Sequence, residues 1–150
     1  MFDADGLVTY TLTQDIALPT GLTTAQLSWQ DAVIWNVVGG TAAPRVFSVQ
    51  FLDISNALLG TVYTQAYTGT GADPWTARSF DVLAMLAAYG GQTVRLRFSV
   101  DVPETWTGPA GLGLDAVSLD VDSVPEPGSL LLLGSGLIGL AFWKRRARKA

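Results

Sequence analysis

From its first strand-like segment onward, the chain alternates apolar and polar residues in short bursts. Residues 7–14 place Val8, Tyr10 and Leu12 on one side and threonines on the other, the period-two pattern of a half-buried strand. After a break at Pro19, Thr20 and Gly21, residues 25–37 put Leu27, Trp29, Val33 and Trp35 in one phase, and Asp31 falls in that same inward phase. Gly39, Gly40 and Pro44 mark a loop. Phe47, Val49 and Phe51 then alternate with Ser48 and Gln50, and a turn near Ser55 and Asn56 leads into residues 58–67, which together predict a hairpin.

Residues 68–75 form the longest irregular stretch, and they carry Trp75, an aromatic that a solvated loop does not need. Asp81 fits an N-cap before the apolar run 82–89, which Gly90 and Gly91 close, so the pattern predicts a helix of about two turns. The cleanest strand follows: Val94, Leu96, Phe98, Val100 and Val102 face one way, and Arg95, Arg97, Ser99 and Asp101 the other. Residues 103–113 predict a second loop, containing Trp106, and residues 114–121 a last strand with Val117 and Leu119 inward. No repeat of fixed period is present. Many short alternating strands, glycine-rich turns and one small helix predict an all-β antiparallel sandwich.

The pattern changes at the end of the chain. Residues 128–143 hold no charge, and as a helix these 16 residues would span roughly 24 Å. A hydrocarbon core is about 30 Å thick, and Lys144 and Arg145 make up the difference by reaching to the headgroups, with Trp143 at the interface. Length alone would also suit a buried core helix. The run, however, is apolar all round rather than striped and ends in the cations Lys144, Arg145, Arg146, Arg148 and Lys149. A transmembrane helix at 130–143 is therefore expected, with the basic tail 144–150 in the cytoplasm and the preceding domain on the far side of the membrane. The expected division is a β-sandwich domain at 1–122, a linker at 123–129, the helix and the tail.

Val124, Pro125, Glu126 and Pro127, the glycine- and leucine-rich segment and the basic cluster stand in one order, and together they resemble the PEP-CTERM protein-sorting signal. The resemblance implies processing by an exosortase, a membrane-embedded cysteine transpeptidase of Gram-negative bacteria that make extracellular polysaccharide. It also implies recognition at Pro125, Glu126 and Pro127 and removal of the helix and tail. Independently, both prolines stiffen a linker, since each fixes φ and lacks a donor. A glycolipid-anchor signal ends in its hydrophobic segment and does not fit this cationic end. Upstream, residues 91–98 (Gly-Gln-Thr-Val-Arg-Leu-Arg-Phe), a variable loop and residues 114–119 resemble the jelly roll of galactose-binding-like and carbohydrate-binding modules. Such families often have asparagine where Ala116 stands.

Composition narrows the chemistry. The net charge is −4, but residues 1–122 hold twelve acids against Arg45, Arg78, Arg95 and Arg97, a balance of −8. So acidic a domain repels phosphate backbones, and nucleic acid is not an expected partner. Without cysteine there are no disulfides, thiolate nucleophiles or thiolate metal sites. Without histidine there is no Ser-His-Asp triad and no imidazole ligand. A two-carboxylate glycosidase survives on paper, but Glu104 is the only glutamate before the linker and no acid pair marks a cleft. Residues 1–6 show neither a basic region nor an apolar core of a signal peptide, so the true start of the protein is expected upstream.

Two sets of residues are candidates for binding. Asp31 and Asp115 both fall at inward positions, where a carboxylate needs a partner; each either accepts loop N–H bonds at a strand end or joins a structural calcium site. Trp75 and Trp106 lie in the two predicted loops and either cap the sandwich or stack on a sugar ring. No other cofactor is expected. The expected protein is an exported, non-enzymatic domain. It passes through the inner membrane with the domain on the periplasmic side and is delivered to the envelope or extracellular polysaccharide. The alternative is a lectin-like module with a defined glycan.

Overall fold

The computed structural model describes residues 8–37, 43–102 and 111–124. They form two antiparallel sheets. One contains β1 (Val8–Ala17), β6 (Thr93–Val102), β3 (Arg45–Asp53) and β4 (Leu58–Tyr67), in that spatial order. The other contains β5 (Thr70–Asp81), β2 (Leu22–Asn36) and β7 (Gly111–Ser123). A single helical turn, α1 (Leu83–Leu86), runs into a 3₁₀ turn at Ala87–Tyr89. The architecture is the expected all-β sandwich with one short helix. Among the described residues only β3 and β4 form a hairpin between sequential strands, and every other pair of sequential strands lies in opposite sheets, as in jelly-roll-like folds.

Alternation accounts for the interior. Leu27, Trp29 and Val33 from β2 meet Phe47, Val49 and Phe51 from β3 and Val94, Leu96 and Phe98 from β6, and all are buried. Trp29 stacks on Phe80 with ring centroids 5.3 Å apart and meets Phe98 edge-on at 5.7 Å; such pairs add about 0.5–1.5 kcal/mol beyond burial of their area. Trp35, in the expected inward phase, packs on Tyr67 at 4.5 Å and donates from Nε1 to the Thr68 carbonyl.

The structure corrects the sequence reading in three places. Residues 70–75, expected to be loop, belong to β5, and only Thr68 and Gly69 remain as the turn, with Gly69 at φ 67°. Pro74 is accommodated because β5 is an edge strand with a bulge there. Asp31 pairs with Thr76 and Val33 with Asp73, so Ala32 faces two residues. The second correction is in β7. Ser28 pairs with Ser118 but Gln30 with Asp115, which leaves Ala116 and Val117 opposite Trp29 alone. Ala116 takes a left-handed φ of 50°, and the extra residue flips the phase. Asp115 and Val117, both expected inward, are exposed, while Leu119 keeps its inward contact with the core.

The third correction concerns the start of the helix, which has about the expected two turns, one α and one 3₁₀, but begins at Leu83 rather than Val82. The N-cap residue is Val82 rather than the expected Asp81, and Asp81, one residue earlier, accepts the Leu83 N–H with its Oδ1 at 2.9 Å, satisfying an otherwise orphan donor. Its end uses Gly91 at φ 78°, whose N–H donates to the Leu18 carbonyl. Among the described residues no helix is long and apolar enough to cross a membrane. The expected helix at 130–143, the basic tail, Pro125, Glu126, Pro127, Glu104 and Trp106 all lie outside the described residues.

Candidate functional site

The outer face of the three-stranded sheet carries the most distinctive surface. The register places Ala72, Ile34 and Gly111 in one row across β5, β2 and β7, and Trp75, Ala32 and Gly113 in the next. Four of these six are glycine or alanine, so the sheet surface stays low between the larger side chains. The result is a groove of about 330 Å³. Trp75 is 56% exposed and Ile34 49%. The Trp75 ring reaches across β2 to Gly113, where a methyl group would stand 2.9 Å from its Cη2 atom; real Cβ contacts are not that short, so Gly113 is what lets the indole rest there.

The bulge explains how Trp75 reaches this surface. Without the extra residue at Pro74, strict alternation from Asp73 would not leave both Pro74 and Trp75 opposite Ala32. Further along the same face the surface turns polar and acidic. Gln30 sits opposite Asp115, Ser28 between Ser79 and Ser118, and Gln26 between Asp81 and Asp120. Gln26 Nε2 donates to Ser79 Oγ, and Thr24 Oγ1 to Asp122. The groove is thus apolar at one end of the sheet and grades into carboxylates and amides at the other.

Behind this sheet, Asp31 is fully buried in the middle of β2, not at a strand end. Trp29 Nε1 donates to its Oδ2 at 2.7 Å, and Arg78 donates from Nε to Oδ2 at 3.1 Å and from Nη2 to Oδ1 at 3.3 Å. The carboxylate raises the pKa of the Arg78 guanidinium, first through this hydrogen bond. Arg78 also lies over the Tyr63 ring at 4.9 Å, a cation–π contact. Both Asp31 oxygens are therefore occupied by protein donors, which is what a buried charge requires. Asp115 faces the other side of the sheet, exposed, with its Oδ1 accepting the Ala116 N–H at 2.7 Å. The two aspartates do not converge, and no group of acids among the described residues is arranged to hold a metal ion.

Near the groove, Arg45 and Tyr67 are buried at the end of the sandwich. Burial pushes the Tyr67 phenol well above its ordinary pKa, so it is a neutral hydroxyl. That end is where several connections depart. Asn36 pairs with Thr70, Arg45 with Tyr67, Val8 with Val102 and Ile34 with Gly111. β6 ends and β7 begins at this end as well, at Val102 and Gly111. Of the two tryptophans singled out in the sequence, Trp75 lies on the outer face of this sheet against Gly113, one of the groove's lining residues, and Trp106 lies outside the described residues.

Two features were not anticipated. The groove floor was hidden because residues 111–113 were assigned to a loop; the signal was there in Gly111, Leu112, Gly113 and Leu114, an alternation with glycine as its outward member. Arg78 was not recognised as the partner of Asp31, although it is one of only four cations in residues 1–122.

The last strand ends at Ser123, and the Val124 N–H closes the domain by donating to the Gly21 carbonyl at 2.9 Å. A folded β-sandwich is thus followed at once by the proline-rich, apolar and basic tail, which places the chain in the class of proteins with a C-terminal sorting signal. Residues 123–146 match the PEP-CTERM protein-sorting motif, so the chain carries a signal for exosortase-processed, membrane-associated sorting in Gram-negative bacteria. No curated protein matches the chain. Among solved structures it is similar to a carbohydrate-binding module of family 4, at 16% identity over 78% of each chain with a TM-score of 0.39. It is also similar to the enzymatically active domain of tailspike protein 4 from bacteriophage CBA120, at 15% identity and a TM-score of 0.37, covering 76% of this chain. The chain spans only 14% of the length of that tailspike. A third similarity, at 10% identity and a TM-score of 0.31, is to a structure of infectious bursal disease virus, Gx strain, covering 83% of this chain and 31% of that one.

Proposed function

We propose that the protein is an exported, non-enzymatic component of the cell envelope or extracellular polysaccharide, presented on the periplasmic side of the inner membrane and released from its tail by an exosortase. The observation that carries this reading is the position of the sorting motif. It begins at 123, the residue at which β7 ends, so the signal overlaps the fold only at Ser123 and Val124, and cleavage near residue 127 leaves both with the domain. In this reading Pro125, Glu126 and Pro127 are the recognition element, residues 130–143 span the membrane, and Lys144, Arg145, Arg146, Arg148 and Lys149 hold the tail in the cytoplasm. Intact-mass measurement of protein from the native host tests it. The expected species ends near residue 127; chains retaining 143–150 in cells with a working exosortase overturn it.

A second reading, glycan binding, is favoured by the half-exposed Trp75 beside the groove. The indole supplies a ring for the apolar face of a pyranose, and the acids and amides further along the sheet supply hydroxyl acceptors and donors. A single exposed ring and a few hydrogen bonds fit affinities weaker than about 0.1 mM, roughly −5 to −6 kcal/mol. Isothermal titration with oligosaccharides from the host's own matrix, beside Trp75→Ala, decides it: equal heats from wild type and variant mean that Trp75 is only a surface residue.

A further inference from the structure

We propose, building on the exosortase reading, that the end of β7 is a releasable clasp: Ser123 and Val124 leave β2 when the chain is processed, and the pair formed by Thr24 and Asp122 marks where the release stops. The matched signal begins at 123, yet Ser123 is still paired with Leu22, and the Val124 N–H donates to the Gly21 carbonyl at 2.9 Å. The first two residues of the signal therefore belong to the folded sheet. Backbone groups spent on that ladder cannot at the same time bind in an enzyme's cleft.

The end of β7 is built to open. Val121 is the last residue of the strand packed against the core, and Asp122 and Val124 are exposed, so hydrogen bonds rather than core packing hold residues 122–124. Strand ends held in this way open locally at low cost. The ladder also changes character here: the register shifts between Leu22 and Thr24, with no β7 partner for Thr23. At this bulge Thr24 Oγ1 accepts the Asp122 N–H at 3.1 Å and donates to Asp122 Oδ2 at 2.9 Å. The reciprocal pair divides two residues that can leave from a strand that Leu119 and Val121 anchor in the core.

Chain length gives the release a purpose. Five residues, 125–129, separate Val124 from the apolar segment at 130–143, and at roughly 3.3–3.6 Å per residue they reach about 18 Å at most. In the exosortase reading a membrane-embedded enzyme works within that interval, beside a folded domain. Freeing Ser123 and Val124 adds about 7 Å of chain without moving a core side chain.

The chain has no cysteine, so a single engineered disulfide can lock the clasp. A Cβ at Gly21 would stand 3.8 Å from the Val124 Cβ, the usual separation in a disulfide. The full-length chain is followed in native-host membranes by intact mass. Gly21→Cys with Val124→Cys should be processed when reduced and left uncut when oxidised. Gly21→Cys alone bears the same backbone strain at φ 65° and should be processed under both conditions, which controls for the enzyme's own thiol. Duplicating residues 122–124 ahead of Pro125 supplies a free copy of the released segment and should restore processing of the oxidised pair. Thr24→Val should speed processing about two- to tenfold, the usual effect of a lost hydrogen bond, and Thr24→Ser should not. Equal processing of the oxidised and reduced pair, a block that the duplication does not relieve, or an unchanged rate in Thr24→Val overturns the clasp and leaves the exosortase reading in place. A wild type left unprocessed in membranes with a working exosortase overturns both.

Discussion

The two sheets solve the same problem differently. The four-stranded sheet keeps its paired charge outside: Arg95 donates to Asp15 at 2.6 and 2.9 Å and to Asn56 at 2.6 Å across the solvent face, while its inner face is apolar but for Arg45 at one end. The three-stranded sheet puts an arginine–aspartate pair between the sheets, shifts register at three points against two in the four-stranded sheet, and carries the groove on its back. Bulges re-aim side chains, and here they deliver Trp75 to the groove and Asp115 to the acidic surface. In the three-stranded sheet the departures from alternation shape the outer face.

The largest expected effect breaks the buried pair. Asp31→Ala leaves Trp29 Nε1 and the part-buried Arg78 without their acceptor, and should cost about 3–5 kcal/mol in chemical denaturation. Asp15→Ala removes a pair of similar geometry on the exposed face of the other sheet and should shift the transition only slightly, since solvent screens it. Equal losses would mean that burial does not separate the two pairs. Asp31→Leu combined with Arg78→Met should recover most of the stability, because the cost lies in orphaning a charge rather than in removing the pair.

A smaller effect uses one substitution with opposite signs in the two sheets. Ala116→Gly relieves a left-handed backbone at φ 50° and should stabilise by about 1 kcal/mol. Ala66→Gly, in the β4 ladder opposite Val46, should destabilise by about 0.5–1 kcal/mol. Thermal melts of both variants check the pair, and destabilisation by Ala116→Gly would show that the bulge holds Ala116 for another reason.

The same contrast sets how much was legible in the sequence. β3 and β6 were visible in full, because Phe47, Val49 and Phe51, and Val94 through Val102, alternate without interruption and the ladder between the two strands keeps register throughout. β5 was half hidden, since Thr70, Gly71 and Pro74 are turn-forming residues by composition and only the pairing with β2 makes them strand. The error at Asp115 and Val117 came from extending a period of two through Ala116, where nothing local announces an extra residue; a residue other than glycine at positive φ is a tertiary outcome. Asp31 was placed on the correct face, but its partner is 47 residues away, and no local pattern connects them. Trp75 was identified as a surface aromatic for a partly wrong reason: it lies on a strand, and the glycines of β7 make room for it.

The smallest expected effect is on acid stability, and it belongs to the four-stranded sheet. Asp53 closes the β3–β4 turn: its Oδ1 accepts the Ser55 hydroxyl at 2.7 Å and the Ser55 and Ala57 N–H groups at 2.8 Å. These bonds favour the carboxylate, the Ser55 side chain most, and lower its pKa from the ordinary 3.8. Arg95 lowers that of Asp15 in the same direction, again chiefly by its hydrogen bond. A depressed folded-state pKa means that the unfolded chain binds protons first, so this stabilisation is fully present above about pH 5 and is lost as the pH falls through and below 3.8. Melting temperatures recorded from pH 6 down to pH 3 should therefore decline at the acid end. Asp53→Asn keeps an acceptor oxygen in the turn but cannot titrate, so it should flatten part of that decline while lowering the plateau modestly. An acid limb of unchanged depth in Asp53→Asn would assign the proton linkage elsewhere and leave the turn aspartate a purely geometric role.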